Sequence, residues 1–357
     1  MNVAVLMGGR SPEHDVSVAS ARQVLRHLDR ARWTPWPVML ERDGAWRVAR
    51  RPLADAQDWD PSGAGIWRPA SRPGAALDWL IDEAGVDLAF PVLHGAYGED
   101  GTVQGLLELY DLPFVGSGCA ASAVAMDKLR AREVFAAGGV ATAPAYVPRD
   151  PGMRDPAAEL AAIQAQVGLP AFAKVDVSGS TVGVARIQHE RDLSDFFSGY
   201  GRAFRRWFAE GAVDGEEITV PVLGNTGQQP RALPAVGIYP VKDDWFTHEA
   251  KYEPGATEEI VPPRGLSAAQ LEEAQRIAVR CHELLVCDGM SRTDMIFTPQ
   301  GPIVLETNTI PGLTENSLLP RAAAAAGLSF SGLLDHLLES ALGRVLPLPA
   351  DSVNAPA

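Results

Sequence analysis

The chain opens with a strand that runs into a Gly-Gly turn and then a helix, and that order recurs. Residues 2–7 form a short apolar run ending at Gly8-Gly9, after which Val18, Ala21, Leu25 and Leu28 recur at helical spacing. Residues 87–93 (VDLAFPV) and a helix expected over 101–110 repeat the pattern. Strands that alternate with helices lie parallel in one sheet with the helices on its faces, so an α/β fold is expected here. Residues 41–75 interrupt the rhythm with Trp, Pro and Gly and read as an irregular insertion.

At 357 residues the chain exceeds one typical domain, and two or three packed lobes are expected. A second lobe begins near 145, with a helix over 156–166, a strand over 170–175, a glycine loop over 178–183 and another strand. A strand pair is expected over 205–209 and 216–223. The third region holds a strand over 231–239, a polar loop over 241–264, a helix over 267–286 and strands over 291–297 and 302–306. Helix 331–342 carries Leu334, Leu337, Leu338, Ala341 and Leu342 on one side, and Gly343 suits its C-terminal cap. The Pro/Ala-rich tail from 347 is expected to be disordered.

A formal net charge of -14 argues against nucleic acid as a partner, because phosphate-backbone binding needs basic clusters. A nucleotide needs only a few local lysines and is not excluded. Cys119, Cys281 and Cys287 are scattered and form no CxxC pair, so neither a disulfide framework nor a zinc site is expected. The N-terminus lacks a basic segment followed by a long apolar one, and no apolar run approaches the ~20 residues that span a bilayer. A cytoplasmic location with no membrane partner is the expectation.

The most informative chemistry lies at Asp294, Glu306 and Asn308. Glu306 and Asn308 are two apart at the end of an apolar run, so in a strand they project to one face. If the strands of 291–297 and 302–306 form a hairpin, Asp294 joins them. Two carboxylates and an amide oxygen suit Mg²⁺ bridging nucleotide phosphates; the same spacing also fits a solvated hairpin with surface acids. The loop Ser178-Gly179-Ser180-Thr181-Val182-Gly183 follows a strand carrying Lys174, and small residues let backbone N–H groups approach phosphate oxygens. It is not a Walker A loop, and a plain hairpin turn fits it too. Gly8-Gly9-Arg10-Ser11 lacks the G-x-G-x-x-G spacing of a dinucleotide site. Glu13, His14 and Asp15 stand at a helix start, where capping and dipole complementation suit Asp15 better than Glu13. His94 follows strand 87–93, at the strand end where ligands gather in open α/β sheets.

Taken in order, the motifs are GGRSPEHDVS (8–17), LHGAYGEDGTVQGLLE (93–108), GSGCAASAVAMDK (116–128), AKVDVSGSTVGV (173–184), DGEEITVPVLGN (214–225), EAKY (249–252), GMSRTDMI (289–296) and LETNTIPGLTENSLLP (305–320). This series resembles the D-alanine–D-alanine ligase family of the ATP-grasp superfamily, over roughly residues 2–340. The resemblance implies a three-lobed ATP-grasp fold. An α/β substrate domain would span 1–118, a central lobe 119–222 with a linker helix at 119–140, and a C-terminal lobe 223–346. It implies ATP and two Mg²⁺ ions, with Mn²⁺ as a stand-in, and a homodimer.

By the same resemblance Lys128, Lys174 and Lys251 would contact phosphates. Glu210 and Glu217 would contact adenine and ribose, with backbone near Gly211 and Val213 completing the adenine hinge. Asp294, Glu306 and Asn308 would hold the metals. Glu13 would hold the first D-alanine's ammonium in a group with Ser180 and Tyr252, and His94 would lie near the transferred phosphoryl group. Arg292 and backbone near Gly312 would stabilise the oxyanion, and Ser317 and Leu318 would bind the second substrate's carboxylate. Departures from the family pattern fall at Val175, Thr181, Phe246-Thr247-His248, Ser291 and Thr293. The loop changes leave open a ligase that takes D-lactate, D-serine or another amino acid second, and a nucleotide-binding regulator without catalysis is the reading from another class.

Overall fold

The computed structural model describes residues 1–54, 59, 63, 65–150, 152, 155–176, 183–200, 206–241 and 255–343. Its N-terminal sheet has the order β3-β2-β1-β4. Strand β1 (Asn2–Gly8) runs parallel to β2 (Thr34–Leu40) and β4 (Leu88–Pro91). From Val3 to Met7 its side chains are wholly buried, as a central parallel strand covered on both faces requires. Helix α1 (His14–His27) returns the chain from β1 to β2 and buries Ala21, Val24 and Leu25. The stretch 41–75 is less irregular than its composition suggests. Trp46 and Val48 alternate inward around exposed Arg47, making β3 (Trp46–Val48), an antiparallel edge on β2. Helix α2 (Pro73–Asp82) begins inside the same stretch, with proline in its first turn.

Helix α3 (Thr102–Leu109) follows β4. Gly101 precedes it at φ +87, where a Cβ would come within 2.5 Å of the Cys119 carbonyl oxygen, so only glycine fits. The linker helix expected over 119–140 is instead two helices, α4 (Cys119–Met126) and α5 (Lys128–Ala137). Asp127 separates them: its backbone is extended and its carboxylate accepts the Arg130 N–H at 3.1 Å, which caps α5.

Two antiparallel sheets follow. One has the order β5-β8-β6-β7, from β5 (Ala145–Tyr146), β6 (Ala171–Val175), β7 (Val184–Ile187) and β8 (Trp207–Gly211). Helices α6 (Pro156–Gln166) and α7 (Glu190–Gly199) cover it, packing Ile163, Leu193 and Phe196 on Trp207. The other is six-stranded, with the path β12-β11-β9-β13-β14 and β10 beside β9. It comprises β9 (Glu216–Leu223), β10 (Arg231–Ala232), β11 (Val236–Pro240), β12 (Thr257–Ile260), β13 (Met290–Thr298) and β14 (Gly301–Asn308), backed by α8 (Ala268–Leu284). The segments expected to pair, 205–209 and 216–223, thus lie in different sheets. The chain crosses between sheets at 212–215, ahead of the expected lobe boundary at 222/223. Helices α4 and α5 share a core with β9, β13 and α8 through Ala125, Phe135, Ile218 and Met295. The strand expected over 231–239 is broken at 233–235, where Leu233 N–H pairs with the Pro221 carbonyl and Pro234 has no N–H to offer.

Helices α9 (Leu318–Ala325) and α10 (Phe330–Ala341) return to the N-terminal sheet. Leu333, Leu334, Leu337 and Leu338 share one core with Val3, Val5 and Leu25. Arg32 pairs with Asp335 at 2.9 Å and also with Glu339, and Trp33 Nε1 donates to Asp335 at 2.6 Å. This clamp ties the connection between α1 and β2 to α10. Among the described residues no helix is long and apolar enough to cross a membrane.

Candidate active site

Every proposed site residue that the structure describes lines one cleft, with a cavity volume of about 1430 Å³. Ser180, Lys251 and Tyr252, most of the glycine loop, His248 and the tail from 347 lie outside the described residues.

The hairpin on which the convergence of Asp294, Glu306 and Asn308 depended forms between β13 and β14. Asp294 stands opposite Glu306 and Arg292 opposite Asn308, while Asp294 lies opposite Thr219 on β9. The register shifts by one residue between Asp294 and Met295, so Leu305 has no partner in the ladder and both Leu305 and Glu306 line the cleft. Residues of the opposite face, Ile218, Val220, Met295 and Val304, are buried under α8. The departures at Ser291 and Thr293 fall on this buried face and are satisfied there. Ser291 Oγ pairs with His282 Nδ1 at 2.8 Å, and Thr293 Oγ1 with Thr307 Oγ1 at 3.0 Å.

Asp294 gathers donors. Arg292 reaches both of its oxygens, Nε to Oδ1 at 2.8 Å and Nη2 to Oδ2 at 2.7 Å, which residues two apart on one strand face can do. Thr219 Oγ1 donates to Oδ1, and Asn308 Nδ2 to Oδ2 at 3.2 Å. Burial opposes the charge on Arg292, but Asp294, Glu306 and Glu99 hold its pKa above the ordinary guanidinium value. Lys128, buried at the first turn of α5, ion-pairs with Glu306 at 3.1 Å. The donor set fits a hard divalent cation: Asp294 and Glu306 supply carboxylate oxygens, and rotating the Asn308 amide exchanges Nδ2 for Oδ1.

Where the chain crosses between the two antiparallel sheets, Glu210, next to last in β8, has its carboxylate taken by Arg132 and Lys174. Gly211 N–H donates to the Pro144 carbonyl at 3.0 Å, and a Cβ on Gly211 would lie 2.7 Å from the Val167 carbonyl oxygen. Val213 and Glu217 line the cleft beyond it. Lys174 and Lys128 are drawn together: Lys128 N–H donates to the Asp176 carbonyl at 2.9 Å, and Arg206 bridges Asp127 and Asp176 at 2.6 Å each.

The N-terminal sheet contributes Glu13 and His94 from the ends of parallel strands. Glu13 stands at the N-cap of α1 with no side-chain capping bond, while Asp15 turns outward to Arg42 at 3.0 Å. Ser11 Oγ donates to the His94 carbonyl at 2.6 Å, tying the two loops. Gly95, at φ +71, allows the close approach, because a Cβ there would lie 3.0 Å from Glu13 Oε2. Burial lowers the His94 pKa, but Glu99, whose Oε1 is 3.9 Å from Nδ1, and Glu13 more than offset this, so the net shift is upward. At the far end Ser317, the N-cap of α9, has its Oγ 2.7 Å from Thr314 Oγ1, and a Cβ on Gly312 would lie 2.8 Å from that same Oγ.

Cleft residues that sequence reasoning gave no role include Thr219, Glu99 and Glu259. Thr219 reaches Asp294 only through sheet register, which spacing does not reveal. Glu99 was visible in the glycine-bounded segment 94–101 but carried no assigned role. Glu259 comes from β12, inside a stretch read as loop.

A nucleotide-sized cleft bounded by two antiparallel sheets and capped by a mostly parallel one is the architecture of the ATP-grasp class. The chain belongs to the D-alanine–D-alanine ligase family: residues 2–117 match the model of the D-ala D-ala ligase N-terminus and residues 134–339 that of the C-terminus. It is 39% identical to the D-alanine–D-alanine ligase of Syntrophobacter fumaroxidans over 345 residues, 96% of this chain and 98% of that one. It is also similar to the solved VanG D-Ala:D-Ser ligase from Enterococcus faecalis, with a TM-score of 0.77 at 27% identity, covering 95% of this chain and 99% of that one. The Bacillus anthracis D-alanine–D-alanine ligase complexed with ATP gives a TM-score of 0.71 at 27% identity, covering 96% and 98%.

Proposed function

We propose that this chain joins two D-alanine molecules into D-alanyl-D-alanine while converting ATP to ADP and phosphate. The observation that supports this best is the sharing of one cleft by the Arg292–Asp294–Glu306–Asn308 hairpin, the Lys128 and Lys174 cations, and Glu13 with His94. Cations and a paired-carboxylate hairpin suit a nucleoside triphosphate, and the Glu13 carboxylate suits the ammonium of an amino acid. A full-length relative named for this reaction adds to it.

A carboxylate is a poor acyl donor, so its oxygen first takes the γ-phosphoryl group of ATP and becomes an acyl phosphate. Lys128 and Lys174, with Lys251, would spread the phosphate charge. Asp294, Glu306 and Asn308 would hold Mg²⁺, or Mn²⁺, which neutralises phosphate charge when bound. Glu210, Glu217 and the backbone at Gly211 and Val213 would hold adenine and ribose. Glu13 would take the ammonium of the first D-alanine in a group with Ser180 and Tyr252. His94, whose pKa Glu99 and Glu13 raise despite its burial, would sit beside the transferred group. As the second amine attacks, Arg292 and backbone N–H groups near Gly312 would stabilise the oxyanion, an effect of about 3 kcal/mol per donor. Ser317 and Leu318, at the N-terminus of α9, would bind the second carboxylate.

The product would feed peptidoglycan synthesis from a cytoplasmic homodimer. The test is phosphate release and product mass spectrometry with Mg-ATP and, in turn, D-alanine alone or paired with D-serine or D-lactate. D-alanyl-D-alanine as the dominant product supports the reading; turnover with D-lactate but not D-alanine at neutral pH rejects it.

A further inference from the structure

We propose that Glu259 recognises the ammonium group of the second amino acid and so selects an amino acid over a hydroxy acid at that subsite. The inference rests on the ligase reading above and names a residue for its open specificity. Glu259 projects from β12 into the cleft that Arg292, Ser317 and Leu318 also line. Arg321, one turn into α9 from Ser317, holds it from behind: its Nη1 lies 3.4 Å from Glu259 Oε2 and 3.2 Å from the Glu259 carbonyl oxygen. Arg321 itself does not line the cleft. The second carboxylate oxygen, Oε1, has no hydrogen bond among the described residues.

Among the described residues, the charges around Glu259 leave room for one more cation. Burial raises the Glu259 pKa, and the charges of Arg321 and Arg292 offset that only in part. A half-buried carboxylate left short of compensation is stabilised by any further positive group that reaches it. An α-amino acid would supply one through its ammonium group. Its ammonium and carboxylate are separated by a single carbon, so a carboxylate seated at Ser317 and the start of α9 carries its ammonium along the wall that bears Glu259. The pair Glu259–Arg321 ties β12 to α9, which sets the distance between the two recognition points. D-lactate offers a neutral hydroxyl where D-alanine offers the charge, so Glu259 favours the amine.

The test compares the wild-type enzyme with Glu259→Gln and Glu259→Asp. The readouts are KM at each amino-acid subsite, KM for ATP, the turnover ratio of D-alanine to D-lactate as second substrate, and the thermal midpoint. Removing a charged hydrogen bond predicts a second-subsite KM roughly 10- to 100-fold higher in Glu259→Gln, with the D-alanine to D-lactate ratio falling by the same factor. First-subsite and ATP KM should stay within about twofold, and Glu259→Asp should restore part of the discrimination. The proposal is overturned if Glu259→Gln shifts both subsites alike, or lowers the thermal midpoint while leaving the substrate ratio unchanged, since either marks Glu259 as a strut. Absence of ATP-dependent dipeptide formation by the wild type overturns the ligase reading itself, whatever the variants do.

Discussion

Replacing Thr219 by valine removes one hydroxyl from beneath the proposed metal ligand and little else. Thr219 is buried at 1% exposure and stands directly opposite Asp294, to which its Oγ1 donates. Valine has nearly the same shape, so packing against Val236 and its neighbours survives. A hydrogen bond to a charged group contributes about 1.5–3 kcal/mol. With the Asn308 amide turned to offer Oδ1 to the metal, two other donors still reach Asp294: Arg292 Nε at 2.8 Å and Arg292 Nη2 at 2.7 Å. The loss therefore falls at the low end, about 1.5 kcal/mol or roughly tenfold. It should show as a tenfold weaker Mn²⁺ affinity in the presence of ADP, followed by electron paramagnetic resonance, and a matching fall in kcat/KM for Mg-ATP. Thr219→Ser keeps the hydroxyl and should behave as wild type. If serine and valine lose activity equally, the methyl group matters and the hydroxyl does not, and the argument fails.

Two further outcomes follow from buried groups. Burial pushes the His282 imidazole down to about 4, while the unfolded value is about 6.5. Between those values the unfolded chain binds a proton that the native one does not, so stability drops as pH falls through that window, by on the order of 3 kcal/mol. Urea midpoints of wild type and His282→Gln should converge between pH 7 and 4.5, and parallel curves would count against a neutral buried imidazole. In Gly211→Ala the new Cβ meets the Val167 carbonyl oxygen, a backbone atom that cannot turn aside. A loss of about 1–3 kcal/mol in stability and a raised KM for ATP are expected, and unchanged calorimetry would refute the close approach.

The parts of the site that sequence made legible are local ones. Glu306 and Asn308 announce one strand face by their spacing, and the glycines around His94 and after β1 mark strand ends where ligands gather. What stayed hidden depends on pairing between distant segments. Residues 205–209 and 216–223 look alike as strands, yet Trp207 pairs with Val175 in one sheet while Thr219 pairs with Asp294 in another. Nothing in their composition says which. The alanine-rich run from Cys119 reads as one helix because Asp127, which stops it, is a residue that helices tolerate; only the capping geometry reveals the break. Glu259 was invisible for a similar reason: its four-residue strand is defined by β11, and its partner Arg321 lies 62 residues away.

The central claim, that the cleft activates one carboxylate as an acyl phosphate for attack by a second amine, is tested most directly by isotope transfer. D-alanine labelled with ¹⁸O in its carboxylate is incubated with the enzyme and Mg-ATP, and the released phosphate is analysed by mass spectrometry. One labelled oxygen per phosphate, appearing in step with D-alanyl-D-alanine, is the result predicted, because the bond broken by the amine leaves that oxygen on phosphorus. Unlabelled phosphate, or label recovered in AMP, would contradict it.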